Sequence, residues 1–203
     1  TQTILLSDFK DTTTENWEHG PATTLAPELV QTDGADGATD GYLLVQSDVS
    51  GMAGKLVVYN NTEWATDISE TAGFTVEFKN LSVSHSLVMR MRLEGPGGAF
   101  FSSTAHTIPV GGNWQTVFFS LQPQDWIGNG NFELTLANIT KVRFFHNVGA
   151  FFPPGPPLIA AIGIDNIRLI KEVKPVGMGS MAISENHGRM ALNILLANVT
   201  SEI

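Results

Sequence analysis

The sequence predicts an all-β protein, an antiparallel β-sandwich. Three observations carry this. Apolar and polar residues alternate with period two over many short runs. Turn signals separate the runs at short intervals. No strand–helix alternation appears, which argues against a parallel α/β fold.

The runs follow in chain order. Ile4–Phe9, Gly41–Gln46 and Lys55–Tyr59 come first. Phe74-Thr-Val-Glu-Phe78 and Leu87-Val-Met-Arg-Met-Arg-Leu93 alternate cleanly, with Arg90, Arg92 and Glu94 sharing a face. Phe100–Ser103, Trp114–Leu121, Val142–Asn147 and Ile162–Ile170 complete the set. Asp33-Gly34, Asp40-Gly41, Gly95-Pro-Gly-Gly98, Gly111-Gly-Asn113, Gly128-Asn-Gly130 and Pro153-Pro-Gly-Pro-Pro157 mark turns. Four Phe-Phe pairs occur, at Phe100, Phe118, Phe144 and Phe151 with their successors. Adjacent strand residues point to opposite faces, so each pair sends one ring outward. Those outer rings are either scattered exposed aromatics or lie beneath a loop, a tail or a neighbour.

Composition narrows the function classes. The chain has 203 residues, of which 42% are hydrophobic and 15% charged. A body of that length buries roughly 70% of its unfolded surface, enough for one domain without a staple. Net charge −9 with 11 Lys+Arg argues against a nucleic-acid partner, which needs clustered cations. No apolar run reaches the roughly 20 residues of a membrane span. The chain begins at Thr1 and lacks cysteine, so the expectation is an extracellular or cell-surface protein after signal-peptide removal. Asn-x-Ser/Thr sequons stand at Asn60, Asn80, Asn138 and Asn198.

Some segments carry a resemblance. Leu5-Leu-Ser-Asp-Phe-Lys-Asp11 followed by Trp17 looks like the opening strand of calcium-binding jelly-roll carbohydrate-binding modules. Ile108-Pro-Val-Gly-Gly-Asn-Trp-Gln-Thr-Val-Phe-Phe-Ser-Leu121 resembles their turn, tryptophan and apolar strand. Ile162-Gly-Ile-Asp-Asn-Ile-Arg-Leu169 resembles their closing strand. The resemblance implies a jelly-roll sandwich over about residues 3–170. It also implies a structural Ca²⁺ held by Asp165 and an acid of the first strand. The usual acid after the phenylalanine is Lys10 here, flanked by Asp8 and Asp11. Carboxylates brought together this way repel, and a cation relieves them. The alternative is that Asp165 caps a turn while Asp8 and Asp11 are solvated. A second acidic loop offers Asp33, Asp36 and Asp40 for a weaker cation, or is a glycine-relieved turn.

No catalytic spacing is present. The sequence lacks Glu-x-Asp-x-Glu, His-Glu-x-x-His and a Gly-x-Ser-x-Gly elbow. The five histidines form no local pair. Glu77, Lys79, Arg90, Arg92, Glu94 and Arg143 form a polar stripe that can share one sheet face, which orients an acidic glycan, hosts a lyase-like site if His146 or a tyrosine converges, or is simply solvated with cross-strand ion pairs. For sugar stacking, Trp64, Trp126 and Tyr59 are candidates beside Arg90 and Arg92. Trp114 and Trp17 read as core.

A C-terminal extension, 171–203, follows the sandwich of residues 1–170. Met190, Leu192, Ile194 and Leu196 form one apolar face if it is a strand; helical spacing is also present. Burying four such side chains is worth on the order of 6–10 kcal/mol. The segment packs either on its own sandwich or in another copy's sheet as a donor strand. The first functional reading is therefore a non-catalytic extracellular subunit that polymerises into a filament or tube. The alternative is a secreted module that binds a polysaccharide.

Overall fold

This computed structural model describes residues 1–20, 25–48, 55–149 and 157–172. They form two antiparallel sheets packed face to face. The strands are β1 (Gln2–Ser7), β2 (Glu18–His19), β3 (Glu28–Val30), β4 (Tyr42–Ser47), β5 (Val57–Asn60), β6 (Gly73–Asn80) and β7 (Leu87–Gly95). Then come β8 (Gly98–Ser102), β9 (His106–Ile108), β10 (Gln115–Ser120), β11 (Trp126–Gly130), β12 (Lys141–His146) and β13 (Ala160–Lys171). A single-turn helix, α1 (Phe132–Leu136), is capped by the Asn131 side chain, which accepts from the Leu134 N–H at 2.9 Å. Among the described residues no helix is long and apolar enough to cross a membrane.

The first sheet runs β10-β6-β13-β4-β3, with β1 also paired to β13. The length of β13 explains the branch. Ala160–Ile164 pair with β4 and Ile167–Lys171 with β1, on the edge opposite β6. The second sheet runs β11-β8-β7-β12-β5-β2, with β9 on β7. The polar/apolar alternation sets what faces inward. Phe74, Val76 and Phe78 of β6 meet Leu87, Met89, Met91 and Leu93 of β7, each 1% exposed or less. Burial of such side chains is worth about 1.5–3 kcal/mol each.

An aromatic chain fills one part of the core. Trp17 stacks on Phe144 at 5.4 Å and tilts against Trp64 at 6.1 Å, and Trp64 reaches Phe74 at 5.5 Å. The Trp17 and Trp64 indoles both donate to the Ser7 hydroxyl, at 3.2 and 3.0 Å. One buried oxygen at the end of β1 thus satisfies two buried N–H groups.

The nine expected strands are all present, but four others and α1 are additional. β2, β3 and β9 are too short to show a period. β11 corrects the expectation of a turn at Gly128-Asn-Gly130. There the glycine is an edge-strand residue, because a Cβ on Gly128 would lie 2.4 Å from the Ala99 carbonyl and 2.5 Å from the Phe100 ring. Gly95-Pro-Gly-Gly98 is the β7–β8 hairpin turn, as expected. Of the Phe pairs, Phe100 and Phe119 are core while Phe101 and Phe118 face out, Phe118 at 44% exposed. Phe144 and Phe145 are both fully buried, so the outer face is covered at Phe145. Phe151 and Phe152 both lie outside the described residues. Asn60 and Asn80 are buried and bonded inside the protein, which removes two of the sequons. Met190, Leu192, Ile194 and Leu196 lie outside the described residues.

Candidate functional site

Strand register assembles a row of side chains across the outer face of the second sheet. In β5, Val58 points into the core, so Tyr59 points out. In β12, Val142 and Phe144 are core, so Lys141 and Arg143 point out. In β7 the same logic turns Arg92 and Glu94 outward. The registers then align Glu18 with Tyr59, Tyr59 with Arg143, Arg143 with Arg92, Arg92 with Phe101, and Phe101 with Ile127. One line perpendicular to the strands thus crosses six strands, a span of about 24 Å at the usual strand spacing.

The charges in the row are interlocked. Arg143 Nε donates to Glu94 Oε1 at 2.6 Å, and Arg92 Nε lies 3.2 Å from the same oxygen. Two guanidinium groups placed opposite each other would repel; the shared carboxylate offsets this. Lys141 Nζ sits 4.6 Å from the Tyr59 ring centre and the Arg143 guanidinium carbon 5.4 Å from it. The Tyr59 hydroxyl donates to Glu18 Oε2 at 2.8 Å. That bond to Glu18 is the main cause holding the phenol above its usual pKa, with burial second. Burial presses the Arg92 pKa down, yet a guanidinium stays charged in proteins. The row therefore combines a ring, three cations, two carboxylates and two apolar side chains, all fixed by sheet register.

The structure separates the residues expected for this role. Tyr59 and Arg92 do come together. Arg90 is on the same face but is 6% exposed, and its guanidinium donates to the carbonyls of Asn147, Ser102 and Ser103 at 3.0, 3.0 and 2.7 Å. It ties loop ends rather than presenting a charge. Trp64 and Trp126 are core, at 1% and 7% exposed. Trp126 stacks on Phe132 at 5.4 Å and donates to the Ser120 carbonyl at 2.8 Å. A polar loop sequence hid the fact that both belong to the core. Trp17 is core, as expected, but Trp114 is not. Trp114 lies on the outer face of the first sheet, edge-on to Tyr42 at 5.4 Å, over Gly163. The expected single polar stripe is also split, with Glu77 and Lys79 on the first sheet and the arginines on the second. Lys141 and Glu18 escaped the sequence reading; the alternation Lys141-Val-Arg143 was the available signal for the lysine.

A second cluster forms where β1 ends. Phe9 adopts φ 51° and is 1% exposed, so the chain turns sharply and leaves Asp8 and Lys10 outside the core. The loop 33–40 closes over them. Gly34 N–H donates to the Asp40 carbonyl and Asp36 N–H to Asp40 Oδ2, at 3.0 and 2.8 Å. A Cβ on Gly34 would meet the Asp40 carboxylate at 2.6 Å, so only glycine lets Asp40 tuck in. Asp165 of β13 is fully buried beside it, its two oxygens accepting the Ala35 and Asn166 N–H groups at 2.8 and 2.6 Å. Burial above all, and then the Asp40 carboxylate, raise the Asp165 pKa to about 7. Lys10 Nζ stands among the rest, 2.9 Å from Asp36, 3.8 Å from Asp8 and 3.9 Å from Asp40.

The expected ligand set is thus gathered in part. Asp8, Asp36, Asp40 and Asp165 converge. Asp11 instead accepts from Thr13 at the surface, and Asp33 is an exposed loop residue whose carbonyl accepts the Trp114 indole. The cluster does not fit a calcium ion. Ca²⁺ takes six to eight oxygens at about 2.3–2.6 Å. Here three of the four inner carboxylate oxygens already accept backbone N–H groups, and an ammonium stands among the outer ones. Among the described residues no three acidic or histidine side chains group as metal ligands.

No family model matches this sequence. No curated protein matches it either. Solved structures share the fold. A family 11 carbohydrate-binding module from Clostridium thermocellum, in complex with a β-1,3-1,4-mixed-linked tetrasaccharide, superposes with a TM-score of 0.57 at 15% identity, covering 84% of this chain and 96% of that one. A family 28 module specific for non-crystalline cellulose gives 0.52 at 17% identity, covering 84% and 95%. An exo-β-agarase gives 0.60 at 15% identity, covering 85% of this chain; the chain spans only 25% of the agarase. The chain therefore has the jelly-roll sandwich of carbohydrate-binding modules.

Proposed function

We infer that this chain is a non-catalytic, extracellular polysaccharide-binding module, with its site on the outer face of the second sheet. The observation that carries this is the row from Glu18 through Tyr59, Arg143, Arg92 and Phe101 to Ile127. A strip about 24 Å long accommodates several sugar rings in line, and sheet register holds it rigid before any ligand arrives. Amphipathic rings and apolar side chains take the sugar faces, while guanidinium and carboxylate groups take the hydroxyls. The likeness to modules whose structures carry or are specific for β-glucans supports the same reading. It favours this over the filament reading; Met190, Leu192, Ile194 and Leu196, on which that reading rests, lie outside the described residues.

Three cations meet two carboxylates in the row, in a chain of net charge −9. That local surplus favours a glycan bearing carboxylate or sulfate groups, met first by Lys141 over the Tyr59 ring, while Arg143 and Arg92, 13% and 19% exposed and shared with Glu94, lie beneath it. Affinity electrophoresis tests both levels. Retention is expected in gels containing a uronate or sulfated polysaccharide, weaker in neutral mixed-linked glucan, and lost in Tyr59→Ala. Arg143→Gln should weaken the anionic case about tenfold and the neutral case little. Equal retention of Tyr59→Ala and the parent would rule out this face.

A further inference from the structure

The acidic pocket at the end of β1 carries its own cation. We propose that Lys10 is the resident counter-ion of Asp8, Asp36 and Asp40, so that this sandwich folds without calcium. The inference is independent of the glycan reading.

Four observations lead to it. The Lys10 ammonium is hydrogen-bonded to Asp36 at 2.9 Å and within 4 Å of two further carboxylates. Asp40 is 5% exposed, and its Oδ1 is buried without a hydrogen-bond partner; the Lys10 ammonium lies 3.9 Å from that oxygen. An uncompensated buried carboxylate is costly, so the ammonium acts on Asp40 above all; its closer contact, with Asp36, joins two half-exposed side chains. The backbone is built to deliver it. The left-handed turn at Phe9 buries that ring and places Asp8 and Lys10 together at the mouth, while Gly34 and Gly41 let the 33–40 loop close against the Phe9 carbonyl. Finally, Asp165 and Asp40 Oδ2 are held by backbone N–H groups, which satisfy them without a metal.

A single positive charge with three donors suits this arrangement. It needs neither short oxygen contacts nor a closed coordination shell. Reversing that charge should create a need for a metal.

The test is calorimetric melting of the full 203-residue chain, in a strong chelator and in millimolar calcium chloride. The parent should melt at the same temperature in both. Lys10→Gln should melt roughly 3 °C or more lower in both, because the buried carboxylate loses its counter-ion. Lys10→Glu should be destabilised in chelator and recover in calcium, with calcium binding seen by titration calorimetry. If Lys10→Glu fails to fold in chelator, circular dichroism on adding calcium reads the same recovery. The proposal is overturned by a parent melting temperature that rises with calcium. It is overturned equally by Lys10→Gln melting like the parent, or by a Lys10→Glu chain that calcium does not stabilise.

Discussion

Single atoms decide much of the stability here. The Ser7 hydroxyl is the shared acceptor of two buried indoles and also bonds to Glu15. Ser7→Ala keeps the shape almost unchanged but leaves both N–H groups buried and unpaired. At about 1–3 kcal/mol per orphaned donor, the loss should be about 2–4 kcal/mol in denaturant unfolding. A change under half of one such donor would mean that water reaches the indoles. Glycan retention should be untouched, since Ser7 lies on the far side of the core from the row. Nothing in the sequence marks Ser7 as special, because its role depends on tryptophans at positions 17 and 64 meeting over one atom. The same is true of Arg90, where an alternating arginine looks like a surface charge until the loop carbonyls that surround it are known. Arg92, two residues on, has the same pattern and the opposite fate.

At the level of elements, period and turn chemistry made the long strands legible. Phe74–Phe78 and Leu87–Leu93 alternate over enough residues to settle both identity and inward face. The short edge strands were not legible, because two or three residues carry no period and their existence depends on a partner. β11 is the clear case. Its glycines read as a turn, yet Gly128 lies flat against β8 with no room for a Cβ. Gly128→Ala should therefore cost on the order of 2 kcal/mol and unpair Trp126–Gly130 from β8 before the rest of the sheet opens. Amide exchange at those residues reads this, and unchanged protection would mean that the Phe100 ring simply moves aside. The site row shows the same limit. Tyr59 and Arg92 could be named from sequence, but only the registers of β5, β12 and β7 bring Arg143 between them.

For the whole molecule, the buried Asp165 predicts how stability varies with pH. Its pKa is raised from 3.8 to about 7 in the folded state. Between those values the folded protein holds a proton that the unfolded chain has released. The native state thus binds more protons, and stability falls as pH rises from about 4 to about 7, then levels off. Asp36 and Glu63, held below their usual range by Lys10 and by local hydroxyl and amide donors, act oppositely, and their contribution fades only on further acidification. Denaturant midpoints across this range should decline by the equivalent of up to about 3 kcal/mol in the parent, offset in part by His106 and His146, which burial holds below the usual range, and that decline should be lost in Asp165→Asn. A parent that gains stability over the same interval would mean that Asp165 is ionised throughout. The sandwich class could be read from the chain alone because alternation is a global pattern. The pocket could be read only in part, because sequence shows which acids exist but not that loop 33–40 folds down onto the end of β1.

The lysine at that junction has one more consequence. A metal ion has a dissociation constant, so a fold that depends on one weakens whenever the ion is scarce or a stronger binder takes it. A charge on the backbone's own side chain has none. Acidic polysaccharides bind divalent ions, so if such a glycan is the ligand proposed above, a countercharge that cannot be drawn off would be an advantage to the fold.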